Sequence, residues 1–574
     1  MTKLTADYSL NKLSDAITLE LNHWQNDNKV QRLWEGDASL WTSHDEAQWL
    51  GWLTIIEKVL NELPSIEMIK NKIKTEDITY IVVLGMGGSS LCPAMLAKTF
   101  REIEGSPQLL VLDSTDPMQI HHLENSIDLK KTLFIVSSKS GSTLEPNIFK
   151  QYFYTRLQLA LEKQAVGDRF IAITDPGTKL ESIARAEHFM AIFNGEPSIG
   201  GRYSALSNFG MVPAELMGIV VKNFLQSAEK MRQACLPTIP VKDNPAVQLG
   251  VILGVCAKFG IDKITFVVSP DIQALGAWLE QLLAESTGKM GKGLIPIDQE
   301  PLGKPENYGN DRLFVYIRLE ENPSLDQDAK IKILEDSGHG VLRLTLANKE
   351  ALAGEFFRWE MATAVAGSIM GINPFNQPDV EGSKILAAKL INDYLETEKM
   401  QKPKLLFSAE GLQLLTDENN TKEIMAKLIG EPSLETLMKA HLSRIAPGDY
   451  VNLSAFIEMS EPHIALLQQS RLLIRDAGKV ATCLGFGPRF LHSTGQAYKG
   501  GPNTGLFLQI TAEHAQDIKI PGLNYSFGLV IDAQAEADFE VLVQRDRRVL
   551  RVHLGSNVAL GLQQLYELIK KALK

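Results

Sequence analysis

From Ile78 onward, short apolar runs rich in β-branched residues alternate with stretches long enough for a helix, and this alternation restricts the fold more than any other feature of the chain. A strand that reaches its neighbour through a helix-length segment joins it in parallel, and a parallel sheet needs helices on its faces. Strands are expected at 81–84, 109–112, 134–136, 170–174 and 190–193; the pattern starts again near 250, with 264–268, 314–319 and 341–346. A charged stretch at 396–404 reads as a boundary, beyond which 450–458, 480–486, 505–511 and 548–553 read as strands and 559–573 as a closing helix. Ahead of the first strand, apolar residues recur every third or fourth position among Trp24, Trp34, Trp41, Trp49 and Trp52, the pattern of helices. At 574 residues the chain exceeds one ordinary core. The expected organisation is α/β: a helical segment over 1–75, parallel-sheet domains over 76–245 and 246–404 sandwiched by helices, and an α/β extension over 405–574.

A formal net charge of -11 argues against nucleic acid or an anionic membrane as the main partner. Cys92, Cys235, Cys256 and Cys483 lie far apart, which suits a reducing compartment and offers no metal-site spacing. The N-terminus lacks the apolar core of a signal peptide, and no run approaches the roughly 18 apolar residues of a membrane span. A cytoplasmic protein is expected.

Five clusters carry candidate chemistry. Gly85-Met86-Gly87-Gly88-Ser89-Ser90 follows the first strand, and Asp113 ends the second, an imitation of a dinucleotide fingerprint in which Ser90 replaces the third glycine. Ser137 to Thr143 holds a dense set of hydroxyls between a strand and a helix whose first turn contains Pro146, a setting for an anion. A phosphate monoester held by two loops accounts for both clusters, whereas NAD accounts only for the first. Gly200-Gly201-Arg202 lets a guanidinium approach an oxyanion. Glu285 sits near the end of a helix led by Ser269 and Pro270, where the dipole works against a carboxylate and favours a proton-accepting role. Asn373 to Lys384 forms a turn leading into a helix, with Lys384 a candidate to neutralise a sugar oxygen or carry a proton.

In order and spacing, these clusters resemble the glucose-6-phosphate isomerase family, built from two sugar-isomerase (SIS) domains, over about residues 30 to 400. The resemblance implies that Gly88, Ser89, Ser138, Lys139, Ser140 and Thr143 hold a substrate phosphate, with Glu145, Gly201 and Gln377 near the sugar. It implies Glu285 as the base, Arg202 as the stabiliser of an enediolate, and Lys384 as the late lysine of the pattern. Two positions depart from the family: Asp379 stands in place of a glycine, and Gly309-Asn310-Asp311 lacks the ring-opening histidine expected before the 314–319 strand. Residues 425–574 extend past the usual end of the family and resemble the isomerase half of bacterial transaldolase–glucose-6-phosphate isomerase fusions, and His492 there is the candidate replacement. No transaldolase barrel is expected within the short helical segment ahead of the first strand.

The implied activity is metal-free, cofactor-free interconversion of glucose 6-phosphate and fructose 6-phosphate through a cis-enediolate, in glycolysis and gluconeogenesis. A small-molecule sugar phosphate is the expected partner, and the resemblance also implies a homodimer, whose surface the extension is placed to cover. Two alternatives differ in class: a catalytically silent sugar-phosphate-binding regulator, and an NAD-dependent dehydrogenase using Gly85–Ser90 and Asp113.

Overall fold

The computed structural model describes residues 7–10, 13–161, 166–400 and 402–574. Strand β1 (Asp7–Ser9) opens the described chain, and helices including Ser14–Asn26 and Ile55–Thr75 follow. The first sheet comprises β2 (Tyr80–Gly85), β3 (Gln108–Leu112), β4 (Thr132–Ser137), β5 (Phe170–Thr174) and β6 (Ala191–Asn194), all parallel in the order β3-β2-β4-β5-β6. The second holds β7 (Lys263–Val268), β8 (Ile295–Ile297), β9 (Arg312–Leu319) and β10 (Gly340–Leu346) in the parallel order β8-β7-β9-β10, with β1 added antiparallel at the edge. The expected parallel α/β domains are therefore present, and the helical segment ahead of them packs into the same core through Trp24 and Trp52.

The third region repeats the plan. A hairpin of β11 (Lys404–Ala409) and β12 (Leu412–Thr416) precedes β13 (Tyr450–Phe456), β14 (Ala481–Phe486), β15 (Gly505–Ala512) and β16 (Arg548–Leu554). The last four lie parallel in the order β14-β13-β15-β16. In all three sheets the second parallel strand lies on one side of the first, and the third crosses back to the other side. Each sheet thus has a topological switch beside its first strand, at whose carboxyl edge ligands bind in open α/β folds. The hairpin lies just past the expected boundary, and the three-residue β8 has too little sequence to carry a period; neither strand set was expected.

The third domain is built onto the first two. Phe149 and Tyr152 of the first domain pack on Phe527, with ring centroids 5.9 and 5.8 Å apart. Ala284, Ile295 and Ile297 of the second share a core with Tyr450, Phe456 and Phe490. Across this second seam Glu300 accepts from Arg312 Nη1 at 2.7 Å and from Thr482 Oγ1 at 2.6 Å, while Arg312 Nη2 donates to the Val480 carbonyl at 2.9 Å. Both ends of the ion pair are fully buried. Burial opposes the Glu300 charge, but Arg312 and Arg471 overcome it and hold the carboxyl below its ordinary range.

Glu300→Gln leaves two buried guanidinium groups short of an anion and should cost about 3–5 kcal/mol at pH 7, read by denaturant unfolding. The depressed carboxyl contributes stability above the ordinary carboxylate range and loses it as pH falls through its folded value. The gap between wild type and variant should therefore close in acid.

Candidate active site

The two loops expected to hold an anion leave adjacent strands at the same level, since β2 and β4 pair with Gly85 opposite Ser137. This is the switch point of the first sheet. In the first loop Ser89 is 8% exposed, and Gly88 lies against the third loop: a Cβ on Gly88 would stand 1.9 Å from the Gly201 carbonyl oxygen. Only glycine permits that approach. In the second loop Ser138 Oγ donates to Thr143 Oγ1 at 3.1 Å, and Ser142 Oγ to Ser140 Oγ at 3.0 Å. The Thr143 side chain makes no cap bond to the helix Leu144–Ala160, so it does not compete with an anion for the helix's N-terminal N–H groups. Lys139 points elsewhere: its ammonium pairs with Asp175 and donates to the Glu196 and Pro197 carbonyls, both at 3.3 Å.

Arg202 is 2% exposed and fully engaged. Its Nε donates to Ser286 Oγ at 2.8 Å, Nη1 to Gln377 Oε1 at 2.8 Å, and Nη2 to the carbonyls of Pro374 and Asn376 at 2.8 and 2.9 Å. The same Nη1 stands 3.5 Å from Glu285 Oε1, near the end of the helix Leu275–Thr287. Beneath them Lys289 donates to the carbonyls of Asn373 and Asn376. Burial first, and then the Arg202 charge, push that lysine well below its usual range. These bonds fix the 373–377 turn against Arg202.

The third domain closes the arrangement. Its 3-10 turn Arg489–His492 brings His492 Nε2 to 2.9 Å from Glu145 Oε1. Burial disfavours the Glu145 charge, but His492, as neighbouring charge and as hydrogen-bond partner, holds the carboxyl below its usual range, with Lys384 adding to the effect. Lys384 itself lies at the rim, 3.5 Å from Glu381 and 40% exposed in its side chain. Gln281 Nε2 donates both to Glu285 Oε2 and to the His492 carbonyl, each at 3.0 Å, linking the candidate base to the histidine turn.

The two departures have structural counterparts. Asp311 lies at the amino end of β9, 3.4 Å from Lys263 at the start of β7. Asp379, 8% exposed, accepts from Gln496 Nε2 and pairs with Arg545, both at 2.7 Å. Gln496 Oε1 in turn accepts from the N–H groups of Asp379 and Val380 at 3.0 and 3.2 Å, capping the helix Pro378–Thr397 from outside. Asp113 is also committed: it stands 3.2 Å from Arg489 and accepts from Ser90 at 3.3 Å, so the carboxylate a dinucleotide ribose would need is already paired.

Sequence reasoning missed Gln281, Gln534 and Thr115. Gln281 was findable, since it stands one helical turn before Glu285 on the same face. A separate cavity of about 580 Å³ lies behind the histidine turn, lined by Lys98, Glu280, Asp298, Arg471 and Arg489 and by none of the expected site residues.

Two parallel α/β domains meeting at a hydroxyl-lined switch point define the chain as a protein of the sugar-isomerase fold class. Among solved structures it resembles a glucose-6-phosphate isomerase of Chlamydia trachomatis, with TM-score 0.51 and 20% identity over 64% of this chain and 78% of that one. It also resembles a hypothetical protein of Thermus thermophilus, with TM-score 0.58 and 22% identity over 67% of this chain and all of that one. Residues 57–294 match the phosphoglucose isomerase family model. Curated relatives include a probable glucose-6-phosphate isomerase of Methanococcus maripaludis, 28% identical over 55% of this chain and 80% of the relative. A glucose-6-phosphate isomerase of Staphylococcus saprophyticus is 27% identical over 59% of this chain and 86% of its own. The chain is thus related to the glucose-6-phosphate isomerases, as its motifs implied. Among the described residues no helix is long and apolar enough to cross a membrane.

Because Gly88 has no room for a methyl group, Gly88→Ala should push the first loop off Gly201. We expect kcat/KM for sugar-phosphate isomerisation to fall by about 100-fold or more, with unchanged far-ultraviolet circular dichroism.

Proposed function

We propose that the protein is an aldose–ketose isomerase that interconverts glucose 6-phosphate and fructose 6-phosphate, a cytoplasmic step of glycolysis and gluconeogenesis. The observation that carries this reading is the buried Glu285–Arg202 pair, 3.5 Å apart, whose arginine lies on the loop that touches the Ser89 loop. A carboxylate beside a fixed guanidinium suits proton abstraction next to a carbonyl, with the cation countering charge that develops on oxygen. Ser89, Ser138, Ser140 and Thr143 take the phosphate, orienting the sugar from a group remote from the reacting carbons. Lys139, tied to Asp175, contributes by holding that turn in shape.

His492, whose cation Glu145 orients and stabilises, protonates the ring oxygen as its bond to the anomeric carbon breaks, and the anomeric hydroxyl gives its proton to solvent at the rim. Glu285 then takes the C2 proton of the aldose and returns it to C1, while Arg202, Gln377 and the Gly201 loop surround the enediolate. Lys384 offers its charge to a sugar oxygen at the rim. If chains pair, as the resemblance implied, the pairing need not complete the site, which already draws on all three domains of one chain.

Incubated with fructose 6-phosphate in D2O, the protein should yield glucose 6-phosphate deuterated at C2, followed by proton NMR. Glu285→Gln should slow this by about 100- to 10,000-fold. His492→Gln should slow turnover of the cyclic sugar while sparing an open-chain substrate. Binding without conversion or exchange would instead mark a silent sugar-phosphate binder.

A further inference from the structure

The Glu145 oxygen that meets His492 has a second donor, and it comes from the far end of the chain. Gln534, 4% exposed on the helix Phe527–Gln544, donates its Nε2–H to Glu145 Oε1 at 2.7 Å. Its own carbonyl accepts from Thr115 Oγ1, also at 2.7 Å, and Thr115 is fully buried in the loop after β3. A side-chain amide presents nearly the same shape either way round, but turned over it would aim a carbonyl at a carboxylate. The acceptor-only carboxylate of Glu145 decides which way round the amide lies, and the Thr115 hydroxyl, donating to the amide oxygen, holds it in that place.

We propose that Thr115 and Gln534 act as a positioning pair: they lock an N–H donor onto Glu145 and so set how strongly Glu145 draws on the proton of His492. This rests on the reading of His492 as the ring-opening acid. A carboxylate oxygen that already accepts from an amide is a weaker acceptor for an imidazole N–H, because the two donors share its charge. With Nε2–H directed at Glu145, Nδ1 is left as the nitrogen that gives up and recovers the proton.

The other charged groups around the pair are accounted for. Arg489, on the histidine turn, is held by Asp113 of the first domain. Glu285, from the helix Leu275–Thr287, connects to His492 through Gln281 and faces Arg202. Lys384, from the helix Pro378–Thr397, adds positive charge toward Glu145. Further along the Gln534 helix, Asp538 is neutralised by Lys499 at 2.7 Å.

The test compares pH profiles of kcat/KM on two substrates: fructose 6-phosphate, which is mainly cyclic, and 5-deoxyfructose 6-phosphate, which cannot form the furanose ring. Gln534→Leu frees Glu145 to pull harder on the imidazolium. The limb reporting His492 should move up by about one unit on the cyclic substrate, with turnover there about ten-fold slower. The profile on the acyclic substrate, governed by Glu285, should keep its shape. Thr115→Val should move the same limb in the same direction by less, Thr115→Ser should restore it, and Thr115→Val with Gln534→Leu should add nothing to Gln534→Leu. A parallel loss on both substrates at every pH, in Gln534→Leu and Thr115→Val alike, would overturn the proposal and leave Gln534 a packing residue. Absence of deuterium exchange by the wild-type protein would overturn the isomerase reading beneath it.

Discussion

A guanidinium and a carboxylate with no access to water hold the second and third domains of this protein together. The Arg312–Glu300 pair sits where β9 of one sheet approaches β14 of another, and its remaining hydrogen-bonding capacity is spent on Thr482 and the Val480 carbonyl, which belong to the third domain. Such a pair adds little net stability over a well-packed apolar seam, but it is intolerant of misregistration, because a shift would strand a charge in the interior. Apolar packing of Phe527 on Phe149 and Tyr152 anchors the same domain to the first. Between the two anchors the third domain's position is fixed, and with it the turn that carries His492.

That docking divides the site into two halves of different origin. The half proposed to hold an anion is local: two loops on adjacent strands, at the switch of one sheet, beside a helix N-terminus that Thr143 does not cap. The half placed for proton transfer is composite, with Glu285 and Arg202 supplied by the first two domains and the Glu145–His492 contact made across a domain boundary. The third domain also changes the helix that carries Lys384. Gln496 caps its N–H groups and binds Asp379, so the carboxylate that stands where a glycine was expected is an attachment point for the extension. An acidic residue in a helix's first turn is also electrostatically favoured there.

What the sequence made legible follows from range. Apart from β8, the parallel strands of all three sheets announced themselves because a strand buried on both faces is a continuous apolar run, and β5 spans the expected 170–174. The glycine and hydroxyl loops were legible for the same reason, being contiguous stretches with chemistry of their own. The three-residue β8 and the Lys404–Thr416 hairpin were not, the former for its length and the latter because its flank reads as a charged boundary. The third domain's strand order, the same as in the first two, left no sequence repeat to find. Thr115 and Gln534 are 419 residues apart, and neither neighbourhood hints at the other. His492 was singled out only as a histidine among glycines and hydroxyls; its place beside Glu145 depends on how two domains meet, which no local pattern encodes.

A site whose parts run from Ser89 to Gln534 also has a timetable. A chain emerging from the ribosome can complete its first two sheets, and the anion-holding loops with them, while the histidine turn and the amide that reaches Glu145 are still unmade. Glu145 must then wait, in a groove open to water, for partners 347 and 389 residues downstream. Contacts of such separation form late, after the loop-closure entropy of the intervening chain has been met by docking. On the proposed reading of the site, the nascent protein holds a phosphate before it can open a sugar ring, and catalytic competence arrives only with the last domain.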